Sequence, residues 1–483
     1  MQRVVLVSTY ELGLQPLSIA SPAARLIDNG ISVDLLDVAI EGLREDILKK
    51  ADFVGISIPM HTALRLGINV AERIKELNPN THICFYGLYG SLSGQYLLEK
   101  GLADSVIGGE YSYPLINLVK KLSGEKVQDL SGIWTKNNYL SLYLGRPSYI
   151  PPARHLLPPL TKYARLITAN GMKLVGNVET TRGCAHTCLH CPITPVYSGR
   201  LRIVPENVVM EDIRNLVKLG AEHITFIDPD FLNGIRHTLN IVRDMHEEFP
   251  ALTFDFTTKV EHVIEHQKLF PELKSLGCLF ITSAFESFND EVLGFFKKGH
   301  TRKDIELALG ILRKTGIDVQ ATLVFFNPWS SIDVLADCLD FIENNELVYN
   351  IEPVQYAIRL LVPKGSSLAG TPQLPMDLLH GDGFNLNWTH PDRRIDKIYN
   401  ECCSIVEDAA RKSEDQLVTF LKIKTLISKY KLKNENEENE GEFDPQVLRS
   451  YDKKTLPHLS ECWFCCAEPM SEQVLQSSVS STT

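Results

Sequence analysis

Cys184, Cys188 and Cys191 stand in the run Arg182-Gly183-Cys184-Ala185-His186-Thr187-Cys188-Leu189-His190-Cys191-Pro192. Three thiolates on one short loop can ligate three irons of a [4Fe-4S] cluster and leave the fourth iron open. A tetrahedral zinc site needs a fourth donor, which His186 or His190 could supply. Position favours the cluster. The loop follows a predicted strand, and strand carboxyl ends in a barrel-like repeat are where a reactive centre with an open coordination position belongs.

A second trio lies in Cys462-Trp463-Phe464-Cys465-Cys466-Ala467-Glu468-Pro469. Cys462, Cys465 and Cys466 are soft ligands that can converge on one thiophilic centre. The candidates are an auxiliary iron-sulfur cluster, zinc completed by Glu468 or His458, a trivalent arsenic or selenium species, and a redox disulfide. Three thiolates suit pyramidal As(III), and exposed free cysteines are a liability unless used. Of the other cysteines, Cys84, Cys278 and Cys338 read as small buried hydrophobes. Cys402 and Cys403 fall in a predicted helix, where neighbours point ~100° apart, so one is expected buried and one half-exposed.

The elements that position these residues follow from periodicity. Over residues 1–125, apolar runs at Val4–Ser8, Val33–Leu36, Phe53–Ile58, His82–Gly87 and Ser105–Gly109 alternate with helical stretches, including Pro22–Asn29 and Thr62–Leu77. This predicts an α/β doubly wound parallel sheet with ligands at the strand carboxyl ends, one of them marked by Gly87-Leu88-Tyr89-Gly90. Residues 126–172, with Ile133-Trp134 and Pro151, Pro152, Pro158 and Pro159, read as a linker. Over 173–370, six strands at 174–180, 224–227, 254–257, 279–283, 319–326 and 356–362 predict a partial or complete α/β barrel. Residues 371–450 read as a helical extension with a solvated acidic loop at Asn434–Glu440, and 451–483 as the cysteine-containing tail. Phe325-Phe326-Asn327-Pro328-Trp329 is expected to pack the barrel mouth.

The chain has 483 residues and 11 cysteines, and its 49 basic against 60 acidic side chains give a net charge of 49 − 60 = −11. An acidic chain without a Lys/Arg run lacks the electrostatic footprint of a nucleic-acid binder. No stretch of ~18 apolar residues predicts a membrane span, and the amino-terminal run reads as a strand, not a signal peptide. An odd cysteine count fits a reducing, cytoplasmic setting.

The first cysteine loop resembles that of the radical S-adenosylmethionine (SAM) superfamily, and further pieces follow in order over 173–370. Asp228-Pro229-Asp230-Phe231 ends the second strand, Thr257-Thr258-Lys259 the third and Phe285-Glu286-Ser287 the fourth. Lys298-Gly299-His300-Thr301 follows, and Arg359 lies on the sixth, before Pro363-Lys364-Gly365-Ser366. His190 stands where the family usually has an aromatic residue. The resemblance implies a [4Fe-4S] cluster on Cys184, Cys188 and Cys191. It also implies SAM held by Asp228, Asp230, Glu286, Ser287 and Arg359, and an electron donor such as flavodoxin or ferredoxin. Residues 1–125 resemble the cobalamin-binding domain that precedes this core in one class, through Ala51–Ser57, Met60-His61-Thr62 and Gly108-Gly109-Glu110. That class's Asp-x-His-x-x-Gly motif is absent and Gly87-Leu88-Tyr89-Gly90 replaces its Gly-Gly-Pro-His turn. Both a bound cobalamin and an empty relic of the domain are therefore open, and His61 is expected to be a hydrogen-bonded turn residue.

The ending Cys-Cys-Ala-Glu-Pro resembles a tail-defined radical SAM group related to the radical SAM protein of arsinothricin biosynthesis. It implies transfer of the 3-amino-3-carboxypropyl group of SAM to As(III), with Cys462, Cys465 and Cys466 as catalytic thiols. Two alternatives stand beside it: cobalamin-dependent methyl transfer to a small molecule, and a non-catalytic thiol-rich metal or metalloid binder.

Overall fold

Apolar, β-branched runs form β1 (Val4–Ser8), β2 (Val33–Asp37), β3 (Phe53–Ser57), β4 (His82–Tyr86) and β5 (Ser105–Ile107). They pair in parallel in the order β2-β1-β3-β4-β5, and β6 (Ile133–Trp134) adds antiparallel to β5. In this computed structural model the described residues are 3–139, 141–374, 379–381, 385–432 and 455–478. Strands β1 and β3 are buried at every position, as helices on both sheet faces require. The first helix spans Leu17–Asp28 and encloses Pro22, where the sequence predicts a start. The Ser18 carbonyl that Pro22 cannot bond accepts from the Tyr86 hydroxyl at 3.2 Å, which offsets the lost bond.

The second unit opens with a hairpin of β7 (Arg165–Thr168) and β8 (Gly171–Val178), so its sheet starts within the predicted linker. A small antiparallel pair, β9 (Thr181–Gly183) and β10 (Leu201–Ile203), brackets the cysteine loop. Parallel strands β11 (His223–Phe226), β12 (Thr253–Thr258), β13 (Cys278–Glu286) and β14 (Asp318–Leu323) follow. The order β14-β13-β12-β11-β8-β7 curls into a nearly closed barrel. The expected sixth strand at 356–362 does not form. Pro353–Ala357 makes a 3-10 turn, the Gln355 side chain takes the Leu323 N–H at 2.8 Å, and one bridge from Phe326 to Arg359 remains.

A hairpin of β15 (Leu379–Gly381) and β16 (Leu386–Trp388) leads to helices Arg393–Lys412 and Gln416–Leu432. In the first of these Cys402 is buried and Cys403 half-buried, as expected. The acidic run at 434–440 lies outside the described residues. The chain then returns as β17 (His458–Leu459), antiparallel to β7, and crosses between the two units. It ends its described course as helix Ser471–Ser478, packed on helix His61–Leu77. Trp329 packs on Phe295 and Phe296 at the barrel mouth. No described helix is long and apolar enough to cross a membrane.

The linker is tied to the barrel by one buried cation. The Arg154 guanidinium donates to Asp212 at 2.9 and 3.1 Å and to the Asn177 side chain and carbonyl. Replacing Arg154 with Met strands the Asp212 carboxylate, and a loss of about 3–5 kcal/mol is expected, read as a lower urea midpoint. A shift of less than about 1 kcal/mol would show that this pair does not anchor the linker.

Candidate active site

The cysteine loop begins at Gly183, whose φ of +80° turns the chain out of β9. A Cβ there would lie 2.4 Å from the Arg200 carbonyl oxygen, so only glycine lets the β9–β10 pair close. Cys184 and Cys188 are buried and Cys191 is half-buried. The Thr194 hydroxyl donates to the Cys188 carbonyl at 2.8 Å, and Asn233 donates to the Cys184 sulfur at 3.3 Å. The three sulfurs do not lie within 4.8 Å of one another. Burial pushes the Cys191 thiol up to about 12 and the Cys184 thiol upward, so thiolates exist here only against a strong cationic centre.

Both histidines of the loop are committed elsewhere. His186 Nε2 lies 3.3 Å from Asp230, and His190 Nε2 lies 3.2 Å from Glu286 with its ring on Phe296. Asp230 also accepts from His262, Thr258 and the Leu232 N–H, so it braces the loop against the ends of β11 and β12.

Glu286 ends β13 at a register shift and sits at φ +63°, a conformation rarely adopted by a side-chain-bearing residue and often kept for function. The bulge turns its carboxylate toward Lys298, whose Nζ is 3.2 Å away. Burial alone would raise the Glu286 pKa, but Lys298 and His190 outweigh it and hold the group at about 2. Glu286 and Arg359 line a cavity of about 190 Å³ together with His190, Cys191, Cys465 and Cys466. The Arg359 guanidinium is stacked 3.7 Å from the centre of the Trp388 ring and bonded to Asp396 at 3.0 Å. The other residues expected around SAM are taken up by protein. Asp228 accepts from the Thr180 N–H and from the Thr180 and Thr181 hydroxyls, and Ser287 accepts from the Asn289 N–H. Their short side chains reach neighbouring backbone first, the usual competition for residues of this type.

The tail completes the cavity. Thr62 donates its N–H to the Cys465 carbonyl at 3.3 Å and its hydroxyl to the Ala467 carbonyl at 2.8 Å. Glu468 accepts from His61 at 2.9 Å and pairs with Arg65 at 3.1 Å, and His458 bonds the Leu456 carbonyl. The Cys465 and Cys466 sulfurs are 3.6 Å apart, and that contact, with burial, pushes the Cys466 thiol well up. Cys462 is exposed, and the three tail sulfurs do not converge within 4.8 Å. Cys465 and Cys466 line the inner cavity, whereas Cys462, which precedes the turn that presents them, does not. Cys466 and Arg359 also border an outer cleft of about 500 Å³, whose wall includes Trp388 and Tyr399. Asn233 carried no signal in the sequence, and Thr62 entered only with the Met60-His61-Thr62 resemblance, which says nothing of its tail partners, because each acts on a partner distant in the chain.

Residues 178–338 match the model of the Radical SAM superfamily. The barrel is a radical SAM domain. A domain of this family implies an enzyme that uses a [4Fe-4S] cluster and SAM. The chain is 24% identical over 315 residues to the anaerobic magnesium-protoporphyrin IX monomethyl ester cyclase of Rubrivivax gelatinosus, covering 60% of this chain and 53% of the cyclase. It is also 24% identical over 249 residues to the tRNA-2-methylthio-N(6)-dimethylallyladenosine synthase of Fusobacterium nucleatum, covering 48% and 53%. The chain thus spans about half the length of these relatives. The fold is similar to that of OxsB, a cobalamin-dependent SAM radical enzyme, with a TM-score of 0.68 at 15% identity over 93% of this chain and 75% of OxsB. It is also similar to TsrM, a radical SAM methyltransferase from Kitasatospora setae, with a TM-score of 0.55 at 18% identity over 72% and 71% of the two chains.

Replacing Cys184 with Ala is expected to abolish the brown iron-sulfur absorbance and reductive SAM cleavage together. Replacing Asn233 with Ala should keep the cluster but lower its potential by tens of millivolts, because a donor to sulfur stabilises the more negative reduced state. Redox titration by EPR reads this, and an unchanged potential would deny Asn233 that role.

Proposed function

We propose that the radical SAM enzyme transfers a SAM-derived carbon group, 3-amino-3-carboxypropyl, to As(III) held by Cys465 and Cys466. One observation carries the reading: two thiols 3.6 Å apart line the same cavity as the cluster ligand Cys191 and the Glu286 carboxylate. Arsenous acid and two thiols form two S–As bonds and release two waters, leaving one hydroxyl on arsenic and its lone pair free. Bound in the barrel, the cluster and SAM supply one-electron cleavage of a carbon–sulfur bond of the sulfonium. Glu286 offers its ionised carboxylate to the SAM ammonium, and Arg359, fixed between Trp388 and Tyr399, offers its guanidinium to the SAM carboxylate. Tyr89 and Phe464 wall the cavity and keep water from a carbon radical. Flavodoxin or ferredoxin would supply the priming electron. Methylthioadenosine leaves, the As–C bond takes one electron from the carbon radical and one from the arsenic lone pair, and the remaining lone-pair electron would return to the oxidised cluster, so arsenic ends as As(V).

The second reading is cobalamin-dependent methyl transfer, favoured by the likeness to OxsB, whose structure holds aqua-cobalamin. The SAM fragment separates the two. Methylthioadenosine marks aminocarboxypropyl transfer, and S-adenosylhomocysteine marks methyl transfer.

Arsenite is expected to protect Cys465 and Cys466 from alkylation. Serine at either position should weaken arsenite binding by about a hundredfold, as lost chelation dictates, whereas Cys462→Ser should leave it unchanged. If arsenite gives no protection, and no arsenic–carbon product forms with reduced enzyme and SAM, the acceptor assignment fails.

A further inference from the structure

In a doubly wound sheet the ligand face is the carboxyl edge of the strands. Here that edge is covered by the chain itself. Helix His61–Leu77 starts directly after β3 with no side-chain cap, so its first N–H groups need outside acceptors. The Thr62 N–H finds the Cys465 carbonyl, and the Thr62 hydroxyl is within bonding distance of the carbonyls of 464, 465 and 467. Of the two histidines among residues 1–125, His82 begins β4 at the opposite edge. His61 is the one at the ligand face, and it is fully buried with Nε2 on Glu468. Helix Ser471–Ser478 then lies along His61–Leu77, where Asn69 donates to Ser477 at 3.2 Å. Buried Tyr89, at the start of helix Leu88–Glu99 after β4, lines the inner cavity with Cys465 and Cys466.

We infer that residues 461–478 are the resident occupant of the amino-terminal domain's ligand face, so that this domain is a dock for the thiol-bearing tail and takes no corrin there. A corrin ring would need the space of the Phe464–Glu468 segment, which Thr62 and His61 hold on that face. The Thr62 N–H and hydroxyl, which a small ligand there would meet, are already bonded to main-chain carbonyls of the tail. The domain's fold is that of a cofactor-binding unit, but its ligand is a peptide from the same chain, held where its two thiols meet the barrel mouth. This inference does not rest on arsenic as acceptor, and corrin retention can be read without turnover.

The test uses the full chain, reconstituted with its cluster without oxygen, incubated with aquacobalamin and desalted. The visible spectrum then reports bound corrin, and peptide mass analysis reports iodoacetamide labelling of Cys465 and Cys466. The expected result is no retained corrin and equal labelling with and without aquacobalamin. Retention of about one corrin per chain, whatever the labelling, overturns the inference. In a Thr62→Val, Glu468→Gln double variant, labelling of the two cysteines should rise about tenfold while cluster absorbance stays constant. Unchanged labelling in that variant, with the cluster intact, equally overturns it.

Discussion

The site depends on the uncapped start of one helix. A helix that begins at the carboxyl edge of a sheet leaves N–H groups facing the space where a ligand belongs, and burying them without acceptors would cost ~1–3 kcal/mol each. The tail supplies the acceptors through Thr62, and Glu468 anchors the same segment on His61 and Arg65. Once those carbonyls are fixed, the side chains between them have little freedom. Phe464, Cys465 and Cys466 then close the barrel mouth over Cys191 and Glu286.

Around the cysteine loop, charge sets the shape. Each loop histidine is held by a separate buried carboxylate, His186 by Asp230 and His190 by Glu286. Asp230 is depressed below the usual carboxylate range because its histidine partners overcome the cost of burial. Such networks are costly when half-formed and rigid when complete. Here they pin both flanks of the loop, so its sulfurs keep a spacing set by the barrel.

The two α/β units are coupled at the strand that feeds the loop. Arg182, two residues before Cys184, bonds Glu110 of the first unit at 2.9 Å and Glu179 of its own, and lies over the rings of Tyr111 and Tyr149. Glu110 also accepts from the Tyr197 hydroxyl at 3.0 Å. The Gly108-Gly109-Glu110 turn therefore acts here as an interdomain anchor. Movement of the first unit would be felt at the cysteine loop, because a buried guanidinium cannot trade its carboxylates for water.

The sequence by itself determined what depends on near neighbours. The C-x₃-C-x₂-C spacing, the strand–helix alternation of both units and the burial of Cys402 beside half-buried Cys403 all follow from local periodicity and donor chemistry. It misplaced the start of the first helix, where a tertiary bond from Tyr86 offsets Pro22. It also read a sixth strand in an apolar run whose edge is satisfied by the Gln355 side chain. Only the tertiary structure decided that Asp228 braces threonines while Glu286 faces the cavity, since both are acidic residues at strand ends and a bulge alone separates their roles. The tail is the plainest case. Thr62 and Ala467 are 405 residues apart, and no pattern in the chain pairs them. Their contact exists because an uncapped helix start meets tail carbonyls at the seam between two sheets, and it brings Cys465 and Cys466 to the inner cavity.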